Sequence, residues 1–156
     1  MFLPIATGIQ TSNLMLGVNT AVGTGANATG YVDMTRFQAV KTGIVRKIQT
    51  TPKNSGNFKF AIYSDNAGNP DALLAATGSV ALTIGTPQKT TIANVNVVAG
   101  TWYWIAAMVS VSGGLYADLS SGTSKYKLLA FASAFPNPAG ALTSGTYTMQ
   151  YGGYDT

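Results

Sequence analysis

Short alternating segments separated by turn signals are the feature of this sequence that most constrains its fold. Apolar and polar residues alternate in runs, and clusters of Gly, Pro, Asn, Asp or Ser follow at intervals of about eight to twelve residues. Such alternation is typical of antiparallel strands with one face in a core. No segment has helical periodicity over more than one turn. The sequence therefore predicts an all-β protein, an antiparallel, jelly-roll-like β-sandwich of about nine or ten short strands.

The stretch over residues 57–74 shows the pattern most clearly. Residues 58–63 alternate, a cluster of turn-forming residues follows over 64–71, and two leucines then resume the apolar pattern. An aspartate at the start of a helix commonly caps its first turn. We therefore expect residues 71–76 to form a single helical turn with Asp71 near its N-terminus.

A second segment, Trp102–Val109, is apolar on both of its faces. A strand of this kind is expected at the centre of a sheet, where both faces are covered. Within the segment, Trp104 is expected to pack in the core. Residues 146–151 alternate again and predict a last strand near the end of the chain.

Domain organisation follows from length and from a change in patterning. A chain of 156 residues predicts one domain. Residues 1–30 are weakly patterned and rich in Gly, Ala, Thr and Asn from residue 21 onward. We interpret residues 1–30 as an N-terminal arm, or a first strand plus a loop, and residues 31–156 as the sandwich.

The residue types that carry most enzyme chemistry are missing. The sequence has no Cys and no His, and its five acidic residues are all Asp. A Ser-His-Asp triad and a thiol nucleophile are therefore excluded, and zinc and copper lose their main ligands. A glycosidase needs two facing carboxylates, whereas these aspartates are scattered along the chain. We expect a protein that is not an enzyme.

Two aspartates in the turn cluster raise the question of a cation. Asp65 and Asp71 lie there with two asparagines, and Ca²⁺ prefers such oxygen ligands. The spacing matches no EF-hand loop, and Asp and Asn side chains in turns commonly bond their own backbone. We therefore expect no cofactor, with Ca²⁺ bound at Asp65 and Asp71 as the alternative.

Aromatic residues are the main candidates for recognition. Tyrosine is concentrated towards the end of the chain, and tyrosine is amphipathic and enriched at interfaces. Three interpretations remain open, namely half-buried strand residues, a subunit contact, and a platform for a sugar ring. The candidate residues for a ligand or an interface are Tyr116, Tyr126, Tyr147, Tyr151, Tyr154 and Trp102.

The charge pattern argues against nucleic acid and membrane partners. Nine basic and five acidic residues give a net charge of +4, and only 9% of residues are charged. The basic residues between positions 36 and 59 are interpreted as guards of strand edges and solvent-facing positions, because nucleic-acid patches are denser. The longest apolar run is far shorter than the roughly 20 residues of a membrane-spanning helix. We expect neither partner.

Four groups of residues carry a resemblance to a known kind of module. They are Ser55-Gly56-Asn57; Ile62-Tyr63-Ser64-Asp65 with Gly68, Pro70 and Leu73-Leu74; Gly100-Thr101 with Tyr103-Trp104-Ile105-Ala106; and Phe135-Pro136 with Gly153-Tyr154. Residues 31–156 thereby resemble a β-sandwich module that recurs in phage tail or capsid-associated proteins and in secreted microbial proteins. The resemblance implies a jelly-roll-like fold and an adhesive, decorating or sugar-binding role, with no catalytic residues to transfer.

These observations predict a virion surface protein, a phage-like capsid decoration or fibre subunit that acts by assembly. Its expected partners are copies of itself, as a homo-oligomer, or other coat subunits. The alternatives are a carbohydrate-binding module, whose partners would be surface glycans, and an extracellular filament subunit. The N-terminus lacks the features of a standard export signal. The expected location is the virion, or the extracellular space for an excised or processed chain.

Overall fold

The computed structural model describes residues 13–18 and 23–156 of the chain, and all regular structure in them is β-strand. This confirms the prediction of an all-β antiparallel sandwich. Fourteen strands are present in these residues, more than predicted, because several consist of only two or three residues. The strands are β1 (Leu14–Gly17), β2 (Gly25–Ala26), β3 (Tyr31–Gln38), β4 (Gly43–Thr50), β5 (Gly56–Asn66), β6 (Asn69–Ala76), β7 (Val80–Leu82), β8 (Gln88–Val97), β9 (Trp102–Val109), β10 (Tyr116–Asp118), β11 (Ser124–Leu128), β12 (Thr143–Gly145), β13 (Thr148–Met149) and β14 (Gly152–Tyr154).

The strands form three sheets. A large seven-stranded sheet has the order β12-β11-β3-β9-β5-β6, with β7 also paired to β5. A four-stranded sheet has the order β1-β14-β4-β8, and a small three-stranded sheet has the order β13-β10-β2. Strand β9 lies between β3 and β5, so the predicted central position of Trp102–Val109 is confirmed.

Two hydrophobic cores lie on opposite faces of the large sheet. The inner core fills the space between the large and four-stranded sheets, and the small sheet adds Ala117 and Met149 to it. The outer core contains Met34, Trp104 and Met108, and the predicted core position of Trp104 is confirmed. Strands β3, β5 and β9 are therefore buried on both faces, which explains the long apolar run in β9.

A long connection covers the outer core. Residues 129–142, here called the cover loop, join β11 to β12 and contribute buried Phe135 and Ala139. The Lys59 ammonium donates to the Phe131 carbonyl at 2.6 Å, and the Tyr63 hydroxyl donates to the Pro136 carbonyl at 2.8 Å. Side chains of the sheet thus satisfy backbone groups of the loop, which lets an irregular segment pack against the sheet.

The predicted helical turn over residues 71–76 is wrong, because these residues belong to strand β6. Strands β5 and β6 form a hairpin in which Asn66 pairs with Asn69, leaving only Ala67 and Gly68 in the turn. Their φ angles are 49° and 82°. Positive φ at both central residues is the hallmark of the type I′ turn, whose twist matches that of the adjoining strands. The chain therefore returns directly to the sheet.

The predicted last strand over residues 146–151 is also wrong. The end of the chain is divided among β12, β13 and β14, each of which belongs to a different sheet. The Tyr151 N–H bonds the Met149 carbonyl at 3.1 Å, closing a tight turn between β13 and β14. The Tyr151 ring is fully buried in the inner core, and its hydroxyl donates to the Ile105 carbonyl at 2.7 Å. The chain therefore turns where this ring enters the inner core.

The described part of residues 1–30 is built into the sandwich. Strand β1 pairs with β14 and places Leu16 in the inner core, and β2 pairs with β10. Residues 1–12 and 19–22 lie outside the described residues, so the expectation of an arm there stays a prediction. None of the described segments forms a helix long and apolar enough to cross a membrane.

Candidate ligand-binding cleft

A cleft of about 280 Å³ opens between the large sheet and the small three-stranded sheet. Three tyrosines from or near the large sheet line it, and the apolar side chains of Ala117, Leu119 and Met149 belong to the opposite, small-sheet side. Two buried polar residues, Asn27 and Asp33, also line the cleft. The tyrosines are Tyr31, Tyr126 and Tyr147.

Strand periodicity and register bring the cleft residues together. Tyr31 and Asp33 are two residues apart on β3, so they share one face of the large sheet. Tyr126 on β11 is the cross-strand partner of Asp33 and therefore points to the same face. The Tyr31 and Tyr126 ring centroids are 6.1 Å apart at an interplanar angle of 63°, and those of Tyr126 and Tyr147 are 6.5 Å apart. The cleft thus has an adjoining row of aromatic rings.

Asp33 places an acidic group in this apolar setting. Burial raises the pKa of Asp33 to about 6, although the Tyr147 hydroxyl and the nearby Asn27 amide each act to lower it. The Tyr147 hydroxyl donates to Asp33 Oδ1 at 2.8 Å. Burial and the neighbouring Asp33 charge raise the pKa of Tyr147. At neutral pH the carboxyl group is therefore mostly ionised, and Tyr147 is a neutral hydrogen-bond donor.

One donor and one acceptor in the cleft are left unsatisfied. Asn27 Oδ1 accepts a hydrogen bond from the Leu115 N–H at 3.0 Å, which orients the amide. Asn27 Nδ2 and Asp33 Oδ2 are both buried and have no hydrogen-bond partner. The amide is near enough to lower the pKa of Asp33, yet the two atoms do not meet hydrogen-bond geometry. A buried group without a partner is unusual in folded proteins.

Of the six aromatic candidates from the sequence, Tyr126 and Tyr147 line the cleft. Tyr116 is half-buried with the Lys53 ammonium 5.6 Å from its ring centroid. Tyr151 is fully buried in the inner core, and Tyr154 is buried with the Lys89 ammonium 4.8 Å from its ring. Neither of these two rings offers a surface platform.

Sequence reasoning did not single out Tyr31, Asp33 or Asn27 as site residues. Alternation along β3 was a usable signal for the first two, because it places both side chains on one face. Nothing local in the sequence indicated that Asn27 would reach them. Its position depends on the pairing of β2 with β10, in which Ala26 lies opposite Tyr116.

The remaining aromatic candidate, Trp102, is 39% exposed and lies far along the sheet from the cleft. The Arg36 guanidinium is 4.4 Å from its ring centroid. Arg36 in turn holds Asp65 through two hydrogen bonds of 2.8 and 2.7 Å, and the Trp104 indole N–H donates to the same carboxylate at 2.8 Å. Arg36 is thus fixed from two sides.

The Asp65 carboxylate is engaged with protein groups. Burial alone would raise its pKa, but the hydrogen bonds from Arg36, Trp104 and the Gly68 N–H outweigh that effect and lower it. The Asp71 backbone carbonyl accepts from the Ala139 N–H at 3.1 Å. Within residues 13–18 and 23–156, no group of three or more His, Cys, Asp or Glu side chains is placed to hold a metal ion. Ca²⁺ binding at Asp65 and Asp71 stays a prediction.

Comparison with protein-family models finds no match for this chain, and comparison with curated proteins finds none either. The resemblance to phage and secreted modules therefore stays a prediction.

Proposed function

We propose that this protein is a non-enzymatic binding module that recognises carbohydrate in the tyrosine-lined cleft. The observation that carries the proposal is the row of three tyrosine rings beside two buried polar side chains, Asn27 and Asp33. A sugar ring has apolar C–H faces that stack on aromatic rings, and hydroxyl groups that bond amides and carboxylates. Both kinds of contact are within one cleft.

The size of the cleft favours a single sugar residue as the recognised unit. Its volume of about 280 Å³ is near the lower end of the roughly 300–1,000 Å³ of small-molecule sites. Further residues of an oligosaccharide would extend past exposed Leu119 into solvent. The module is therefore expected to bind the end or one unit of a glycan chain.

The composition of the cleft supports binding without catalysis. Asp33 is the one carboxylate among the described residues that line it. Hydrolysis of a glycosidic bond ordinarily uses two carboxyl groups on either side of the bond. A single carboxyl group that already accepts a hydrogen bond from Tyr147 is better suited to holding a hydroxyl group than to supplying both catalytic roles.

The test is calorimetric titration with neutral tetrasaccharides of glucose, mannose, galactose and N-acetylglucosamine. We expect at least one of them to bind, and Tyr126→Ala to weaken that binding by about tenfold through loss of a stacking face. Tyr116→Ala is the matched control, because Tyr116 is half-buried but does not line the cleft. Unchanged affinity of Tyr126→Ala, or equal losses in both variants, would argue against the cleft as the site.

A second candidate function is a structural subunit of a virion or extracellular surface, and the apolar end of the sandwich favours it. Val40, Val98 and Trp102 are 60%, 54% and 39% exposed. Their turns adjoin, because Gly100 N–H bonds the Ala39 carbonyl at 2.8 Å and Thr101 N–H bonds the Val98 carbonyl at 3.0 Å. Burial of such a surface between copies would drive assembly. We call it the apolar end surface.

Assembly is tested by the mass of the protein in solution, measured by sedimentation equilibrium. If the apolar end surface joins copies, Val98→Asp should reduce an oligomer or filament to monomers, because an unpaired charge in an apolar contact is costly. Ile84→Asp is the matched control, since Ile84 is 53% exposed at a different turn. A monomeric wild-type protein would count against both assembly alternatives, the coat subunit and the filament subunit.

A further inference from the structure

We propose that one hydroxyl group of the bound sugar bonds both Asn27 Nδ2 and Asp33 Oδ2, and that this contact makes the cleft selective for neutral sugars. The inference rests on the proposed carbohydrate-binding function and deepens it by naming the ligand class. Its basis is the pair of unsatisfied polar atoms, one a donor and one an acceptor, that belong to two residues lining the same cleft.

The hydrogen bonds of the second polar atom in each side chain show which atom is left unpaired. Asn27 Oδ1 accepts from the Leu115 N–H at 3.0 Å, so Nδ2 is the atom left to donate. Asp33 Oδ1 accepts from the Tyr147 hydroxyl at 2.8 Å, so Oδ2 is the atom left to accept. Asn27 and Asp33 are only 7% and 8% exposed, so bulk water does not satisfy them freely.

A hydroxyl group is the functional group that complements this pair. It donates one hydrogen bond and accepts others, so a single hydroxyl can bond Asp33 Oδ2 and Asn27 Nδ2 together. An ammonium group has donors only and would leave Nδ2 unpaired. A carboxylate has acceptors only and would leave Oδ2 unpaired.

The charge of the cleft adds to this selectivity. No lysine or arginine is among the described residues that line it, and Asp33 supplies a negative charge there. An acidic sugar would meet like charge with no basic partner in an apolar setting, where charge interactions are strong. Neutral hexoses and their N-acetylated derivatives are therefore the expected ligands, and uronic acids are excluded.

A measurement on the wild-type protein tests the selectivity without any variant. The tetrasaccharides of glucosamine, which is cationic, and of galacturonic acid, which is anionic, are compared with the neutral panel by calorimetric titration at pH 7.5. We expect the best neutral probe to bind at least about tenfold more tightly than the galacturonic acid probe, the difference that one well-made hydrogen bond supplies. Equal or tighter binding of the acidic probe would overturn the inference.

A swap of donor and acceptor tests the hydroxyl contact itself. In Asp33→Asn the two atoms that face the hydroxyl group are both donors, and in Asn27→Asp they are both acceptors. One hydroxyl group then lacks a complementary partner, so each single variant should bind the best neutral tetrasaccharide about tenfold more weakly. The double variant N27D/D33N restores one donor and one acceptor with their positions exchanged. The Leu115 N–H and Tyr147 O–H keep acceptor oxygens in it, so we expect affinity to return to within about threefold of wild type. Asp71→Asn, outside the cleft, should change nothing.

The outcomes separate this inference from the proposed function. If the wild-type protein binds none of the probes, the carbohydrate-binding function fails and the inference fails with it. If neutral probes bind but the single variants keep full affinity, or the double variant binds no better than they do, only the hydroxyl contact fails. Variants that melt at lower temperature yet bind normally would assign Asn27 and Asp33 to an enclosed water molecule.

Discussion

Asp33 shows at the scale of one residue how a binding group opposes folding. Burial raises its pKa from 3.8 to about 6. A carboxyl group with a raised pKa binds its proton more tightly in the folded state than in the unfolded state. Its ionisation therefore lowers stability above pH 6, and its protonation removes that penalty as the pH falls from about 6 towards 4.

The Asp33→Asn variant should make this linkage measurable. The free energy of unfolding of the wild-type protein, minus that of Asp33→Asn, should decrease by roughly 2–3 kcal/mol from pH 4 to pH 8, the magnitude of a two-unit pKa shift. Urea titrations at intervals of half a pH unit measure it. Other titrating groups, such as Asp65, are common to both proteins and cancel in the difference. A flat difference across this range would show that Asp33 titrates normally.

At this scale the sequence predicts only part of the candidate site, because the rest depends on the pairing of strands that are far apart in the chain. Tyr126 and Tyr147 were singled out because tyrosine is a general recognition residue. In the sequence, Asp33 is only one of five aspartates scattered along the chain. Its proximity to Tyr126 arises from the pairing of β3 with β11, strands far apart in sequence, and no local pattern encodes that pairing.

At the scale of secondary structure elements, the β5–β6 hairpin carries a specific departure from the preferred turn sequence. Ala67 occupies a left-handed conformation with φ of 49°, which costs an L-residue with a Cβ atom roughly 1–2 kcal/mol. Type I′ turns prefer Asn-Gly at these two positions. The chain supplies the Gly in Gly68 but has Ala in the first place.

Substitution of Ala67→Asn should therefore raise the free energy of unfolding by about 1 kcal/mol, because asparagine tolerates the left-handed region better. Denaturant titration at constant pH measures the change. Ala72→Asn is the matched control, since Ala72 is an exposed residue of β6 and asparagine is depleted in strands. It should leave stability unchanged or lower. A loss of stability in Ala67→Asn would contradict the turn assignment.

This hairpin also shows why the turn predicted over residues 64–71 is longer than the turn in the structure. Ser, Asp, Asn, Gly and Pro over residues 64–71 each favour turns individually, so the sequence predicts a turn over the whole cluster with a helical continuation. In the structure, Asp65 pairs with Pro70 and continues the ladder. Its side chain is engaged by Arg36 and Trp104, and these tertiary contacts keep a turn-forming residue in a strand.

At the scale of the whole molecule, composition and alternation were sufficient for the class of fold. Which segments are strands is a local property, and Trp102–Val109 was correctly placed at the centre of a sheet. The division into three sheets is not local. The outer core also depends on the cover loop. Its prolines at 136 and 138 are incompatible with a paired central strand, but they do not indicate where the segment packs.

Strand β3 connects the cleft to the apolar end surface. Its eight residues span roughly 23 Å at about 3.3 Å per step. Tyr31 and Asp33 at its beginning line the cleft, whereas Gln38 at its end lies opposite Trp102 in the apolar end surface. The two proposed contact regions thus lie near opposite ends of this strand. A copy attached to a support through the apolar end surface would hold the cleft outward. Attachment and capture of a glycan would then take place simultaneously without competing for the same surface.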